Sequence, residues 1–359
     1  MAGFGPADGS SNLPRATNKV ACFEGPTIKG LEAVEEAAQH VLQENCDPVV
    51  RFRLLRDVLK ISSNNDEFIN ARRKMLQSPH VHELKNAQRE DGGWGRFHSA
   101  MKSKRGIGTT EAAVERGLAL GLEASDPIFR AALHYLSRLL KGKIEFPDPA
   151  ERNNRWATGT QLFAASTLSR IDATLSAVDE TWELWATIAK RTFSSGKYDA
   201  EAEIQAHQEL TGASVKDSYL VLNGRYQLAL LGSRATELPK TLENALVDWV
   251  WHRDKGIGYL GIPLANLPAR FNAGMLDRFF TSLEIISLFP SWRTHVANTI
   301  EWLWAQRNDQ GLWDFGSRAS MSVYFPLSET WRQSRHRQHD WSTRVLTLLK
   351  SYYASNDST

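Results

Sequence analysis

The residues best suited to chemistry in this chain open an apolar run near its end, His339-Asp340-Trp341-Ser342, which continues through Val345, Leu346 and Leu349. Asp340 is the best candidate for a proton donor. A donor of that kind needs a partner to orient its proton, and His336, His339 and Arg344 are near in sequence. The competing reading is that Asp340 caps a helix, a role Asp fills often. A second group, Gly95-Arg96-Phe97-His98, offers His98 and Arg96 to an acid or an anion, although a loop histidine is more often solvated or packed. Two basic stretches add charge: Lys102, Lys104 and Arg105 in one, and Arg332, Arg335, His336 and Arg337 in the other. A diphosphate or carboxylate head group would explain them, and so would an ordinary solvated surface. Glu111 reads as a capping acid, and Glu115-Arg116 as an ion pair on the same helix.

Helices must hold these groups, because no stretch alternates with the period of a strand. Two kinds of helix take turns. One kind is amphipathic and charged: 31–44, 66–88 with a break at Ser78-Pro79, 126–141, 178–195, 239–253 and 291–306. The other is apolar on most faces or rich in small residues: 49–61, 109–122, 156–170, 217–232, 273–289 and 340–353. A helix apolar all round must be enclosed by protein. Six enclosed helices alternating with six half-exposed ones predict an all-α (α/α)6 toroid over 30–359, after a flexible segment 1–29. The inner helices then point their N-termini at one mouth, where partial positive charge gathers. The residues at that mouth are Glu111, Trp156, Tyr219, Arg278 and Trp341, with Arg96, Arg105, Arg332 and Arg335 on entering loops.

The turn Gln88-Arg89-Glu90-Asp91-Gly92-Gly93-Trp94-Gly95 returns in looser form as Gln306-Arg307-Asn308-Asp309-Gln310-Gly311-Leu312-Trp313. In both, Gln closes a helix, Asp or Asn makes the turn, Gly reverses the chain and Trp follows. This pattern resembles the Gln–Trp repeats of terpenoid cyclases such as squalene–hopene cyclase, and the related loops of protein prenyltransferase β-subunits. The resemblance implies an α/α toroid with an isoprenoid in its interior. It also implies a role for Asp340, since the run around it is similar to the Asp-x-Asp-Asp-Thr-Ala acid motif of the class II cyclases, here with one Asp in place of three. The Asp-rich magnesium box of class I cyclases is absent from the sequence, and the prenyltransferase zinc set lacks its Cys. No metal or other cofactor is therefore expected.

Composition narrows the classes further. A net charge of +2 with 23% charged residues does not indicate bulk affinity for nucleic acid. Cys22 and Cys46 make no disulfide framework, and no apolar run spans a membrane. The N-terminal residues lack a signal-peptide core, so a cytoplasmic protein is expected. The leading expectation is an acid-initiated, terpenoid-cyclase-like enzyme, with Asp340 as the acid, His98 or His339 in support, and an isoprenoid or similarly apolar small molecule, with or without an anionic group, as substrate. The alternatives are a lyase or glycoside hydrolase of α/α-barrel type, using carboxylates and His on a polar substrate such as a glycan, and a binding toroid without catalysis. The sequence sets no oligomeric state. An aromatic, apolar interior would favour the isoprenoid, and several carboxylates would favour the sugar.

Overall fold

The computed structural model describes residues 30–98, 107–150, 156–213, 221–268, 273–316 and 326–354. Among them the fold is all-helical, with isolated bridges such as Arg96–Thr109 and Gly224–Gly258 and no strand. Local sequence explains most helix starts. Asp47 accepts from Val49 N and Pro48 fills the first turn of α2 (Pro48–Arg53). Asn65 caps α3 (Asp66–Leu76), and Ser78 with Pro79 starts α4 (Pro79–Ala87), so the break at Ser78-Pro79 is real. Thr109 caps α5 (Thr110–Leu120), which ends on Gly121 in the left-handed region at φ 100.

The charged helices α1 (Leu31–Gln43), α6 (Pro127–Leu140), α8 (Asp179–Thr192), α11 (Lys240–Trp251) and α13 (Ala297–Ala305) each bury one stripe, as Ala33, Val34, Ala38 and Val41 do on α1. The enclosed kind are α2, α5, α7 (Trp156–Ile171), α10 (Arg225–Gly232), α12 (Ala273–Ile286) and α14 (Ser334–Tyr353). From Leu162 to Ser169, every residue of α7 is buried. A short α9 (Ala200–Thr211) completes the set. Helix α7 packs against α5, α6 and α10, α10 against α12, and α14 against α1 and α2. Lys350 of α14 reaches Glu35 of α1 at 2.7 Å.

Two boundaries differ from the sequence expectation. The helix expected at 217–232 begins at Arg225, after a turn through Asn223-Gly224. The last helix begins at Ser334 rather than at Asp340. Asp340 is therefore well inside α14 and caps nothing.

The two turns with Trp have one construction. Trp94 donates its indole N–H to Leu84 O at 2.9 Å, and its backbone N–H to the Thr110 hydroxyl at 3.0 Å. Trp313 donates to Leu303 O at 2.6 Å and to the Ser342 hydroxyl at 3.0 Å. Each Trp thus ties the preceding amphipathic helix to the following enclosed one. Gln88 fastens the first turn to α6 by donating to Gly92 O and Ile128 O, both at 2.9 Å. Gly92 sits at φ 94, and a Cβ there would meet Ala131 O at 2.3 Å, so only glycine fits. Trp94 and Trp313 are buried. Replacing either by Ala should lower the unfolding free energy by about 3–5 kcal/mol, measured by urea titration. A loss under about 1 kcal/mol would mean that the ties are incidental.

Candidate functional site

Helices α2, α5, α7, α10, α12 and α14 all contribute side chains to one cavity of about 450 Å³. Its chemistry starts on α5. Glu111 and Glu115 stand one turn apart on a single face of that helix, and both are buried. Arg225, the first residue of α10, pairs with both: 3.3 Å to Glu111 and a short contact to Glu115. Arg170 of α7 holds Glu115 from the other side at 2.8 Å. Across the cavity, Arg344 of α14 binds Glu284 and Asp277 of α12, each at 2.5 Å. Arg53 of α2 reaches Asp57 and the Ala119 carbonyl near the end of α5, a cation at a helix C-terminus. A π-helical turn, Leu54–Val58, continues α2 at this point.

Glu111 is the hub. Its Oε2 lies 3.0 Å from Nδ1 of His98 and 3.0 Å from the Tyr226 hydroxyl, and these two lie 2.8 Å from each other. Phe163 stacks on the His98 ring at 4.7 Å and packs on Tyr226 at 4.6 Å, fixing both planes. Asp148 pins the backbone beneath, accepting from Phe97 N at 2.7 Å and His98 N at 2.9 Å. Burial pushes the Glu111 carboxyl up, but Arg225, His98 and Tyr226 outweigh it and hold the group below its usual value. Burial, reinforced by the Glu111 charge, raises the Tyr226 phenol well above 10. The site therefore presents a carboxylate, a protonated phenol and an imidazole within hydrogen-bonding reach.

Of the described residues expected from sequence, the fold joins His98 and Glu111, with Glu111 on the cavity wall and His98 reaching it through Glu111 and Tyr226, and leaves the others elsewhere. The Asp340 carboxylate accepts from Leu327 N at 3.0 Å, Ser328 N at 3.1 Å and the Ser328 hydroxyl at 2.6 Å. It is fully buried, does not line the cavity and serves the 327–328 backbone. His339 donates from Nε2 to the Glu44 carboxylate at 2.9 Å, at the end of α1. Burial lowers its basicity while Glu44 opposes. Trp341 is buried against Phe280 and Phe315 and donates to Gly316 O at 3.1 Å. Trp156 packs edge-on to Phe146 at 5.7 Å. Arg278 is exposed and reaches Leu260 O at 3.3 Å, and Arg332 lies over the Trp331 ring at 5.3 Å. Arg335 is exposed, 3.6 Å from Glu44. The Arg96 carbonyl accepts from Thr110 N at 2.9 Å. Arg105 and Tyr219 lie outside the described residues. Arg116 bonds Pro326 O at 2.6 Å, so the ion pair expected with Glu115 goes to Arg170 and Arg225 instead.

Sequence reasoning missed Arg225, Arg170 and Asp148. The signal for Arg225 was present. Asn223-Gly224 is a strong turn dipeptide, and it moves the helix start to Arg225-Tyr226.

Arg116, Asp340 and His80 converge on residues 326–328. Burial and the Arg116 charge push the His80 imidazole down to about 4, against the opposing pull of Ser328 and Asp340. A lowered histidine stays neutral in the folded protein while the unfolded chain takes up a proton near pH 6.5. Stability should thus fall as pH drops from about 6.5 to 4, by roughly 2 kcal/mol after discounting partial exposure. Urea unfolding of His80→Gln should be flatter over that window by the same amount, and an unchanged slope would remove His80 as the cause.

No described helix is long and apolar enough to cross a membrane. Comparison with protein-family models, with curated proteins and with solved structures finds no match.

Proposed function

We propose that this cavity is an active site that transfers protons on a polar, hydroxyl-bearing substrate of the glycan class, by elimination rather than by hydrolysis. The observation that carries the reading is the triangle of His98, Tyr226 and Glu111 at 2.8–3.0 Å. A carboxylate that holds Nδ1 of an imidazole fixes its tautomer and assigns base chemistry to Nε2. A phenol kept protonated beside it is suited to deliver a proton to a leaving oxygen. Base and acid side by side match the abstraction of a proton next to a carboxyl group, followed by loss of the β-substituent. Arg225 and Arg170 supply cations for the charge that develops on that carboxyl. Hydrolysis draws less support, because Glu111 is held ionised and makes a poor general acid.

The cavity wall also weighs against the isoprenoid. It carries Glu111, Glu115, Glu284 and four arginines, with Ser and Thr hydroxyls between them, and its aromatic member is Tyr226. Carbocation chemistry calls for aromatic faces and an acid aimed inward. Asp340 has its carboxylate committed to Leu327 and Ser328. The architecture we favour remains an (α/α)6 toroid. Contacts run from α5 to α7 to α10 to α12, and α14 meets α2, in the order a closed inner ring requires. Incubation with uronate-bearing polysaccharides should give a product with the absorbance of a conjugated double bond. Prenyl diphosphates offered in parallel should return unchanged. Hydrocarbon or alcohol products from the prenyl diphosphates, with the polysaccharides intact, would reverse the choice.

A further inference from the structure

Outside the cavity, the fold gathers three metal-ligating side chains on one face. Helix α11 carries Asp248, and His252 follows one turn later at its C-terminal cap, so both project from the same side. The 3₁₀ turn Pro290–Thr294 then delivers His295 to that side. One ligand atom from each of the three lies within 4.8 Å of the other two. Asp248 Oδ1 is 3.4 Å from His252 Nδ1 and 3.9 Å from His295 Nε2. Such separations are near the edge of a tetrahedron around Zn²⁺, about 3.3–3.6 Å for ligand bonds of about 2.0–2.2 Å. They are too long for strong hydrogen bonds between the side chains.

The surroundings favour ligation. Trp251 stacks on the His295 ring at 5.6 Å and sets its plane. His252 Nδ1 also rests 2.9 Å from the Asp248 carbonyl, a bond that an ion taking this nitrogen replaces. A groove along Tyr198, Trp249 and Lys255 adjoins Asp248 and His252. We propose that Asp248, His252 and His295 bind one divalent first-row transition ion, Zn²⁺ fitting best, with a fourth position open to the groove. Two imidazoles and a carboxylate select this class over calcium or magnesium, which prefer oxygen alone. Spacing alone does not reveal it, because His295 reaches the other two only through the fold.

Zn²⁺ binding here stands apart from the acid–base chemistry of the cavity, and its readout involves no turnover. The test is calorimetric titration of the full chain with Zn²⁺ at micromolar concentrations, followed by Co²⁺ and its visible spectrum. Expected is one equivalent of Zn²⁺ bound, with a raised Tm, and Co²⁺ bands of low coordination number. His252→Ala and His295→Ala, at partly exposed positions, should keep the far-UV circular dichroism and lose more affinity than the roughly 10–100-fold typical of losing an orienting partner. His40→Ala, which removes an imidazole beside Glu44, should bind as the parent does. No uptake by the parent chain, or equal uptake by the two His variants, overturns the site.

Discussion

Asp340→Ala should lower the free energy of unfolding by about 3–5 kcal/mol. Three buried donors, Leu327 N, Ser328 N and the Ser328 hydroxyl, lose their acceptor together. Each buried donor left without a partner costs about 1–3 kcal/mol, and water entering the gap recovers part of the sum. Asp340→Asn should cost less, about 2 kcal/mol, because one oxygen remains while an amide N–H now faces other N–H groups. Urea unfolding followed by circular dichroism gives both numbers. Turnover of the Asn variant should stay near that of the parent, since the carboxylate is spent on Leu327 and Ser328 and neither lines the cavity nor bonds the His98–Tyr226–Glu111 triangle. An Ala variant within about 1 kcal/mol of the parent would refute the structural role. A large loss of turnover with stability intact would restore Asp340 as an acid.

His98→Ala and Tyr226→Phe should each reduce turnover on the converted substrate by about 10²–10⁴-fold, the usual cost of losing a positioned acid or base. The two groups share Glu111 and touch each other, so their effects should not add. The double variant is expected to be only slightly worse than the poorer single one. Substrate affinity should change little in Tyr226→Phe, because the arginines on the wall are untouched. Its stability should drop by about 1–2 kcal/mol, since the buried Glu111 carboxylate loses one donor. Turnover within a few-fold of the parent in both single variants would leave the triangle as a packing device. The elimination mechanism would then have no base.

Helix content and order were legible in the sequence because burial writes itself into periodicity. The stripe of Val34, Ala38 and Val41 and the enclosed run 162–169 are direct records of what each helix touches. The Trp turns were legible for a different reason: Gly92 and Gly311 have positive φ, which glycine tolerates at no cost. The site was only half legible. Glu111 and His98 were visible as acid and imidazole, but their partnership depends on a contact with Tyr226 more than a hundred residues away. Asp340 misled because an acid at the head of an apolar run looks the same whether it faces a cavity or a backbone turn. Only the path of 327–328, which carries no periodic signal, decides between them.

Helix α14 covers α1 and the π turn after α2, with Lys350 on Glu35 and His339 on Glu44. These partners are separated by nearly the whole described chain, and that separation sets the order of events during synthesis. While the chain emerges from the ribosome, the apolar side of α1 has only the π turn after α2 to pack against, and the remainder of it waits in water until α14 appears. Pairing of such distant segments carries the largest loop-closure cost in the fold and makes its last step slow. The nascent chain is thus a natural client for chaperones that hold exposed helices. Removing the last turns of α14 should leave the other helices formed but the first of them permanently half-covered, and the product should collect in aggregates.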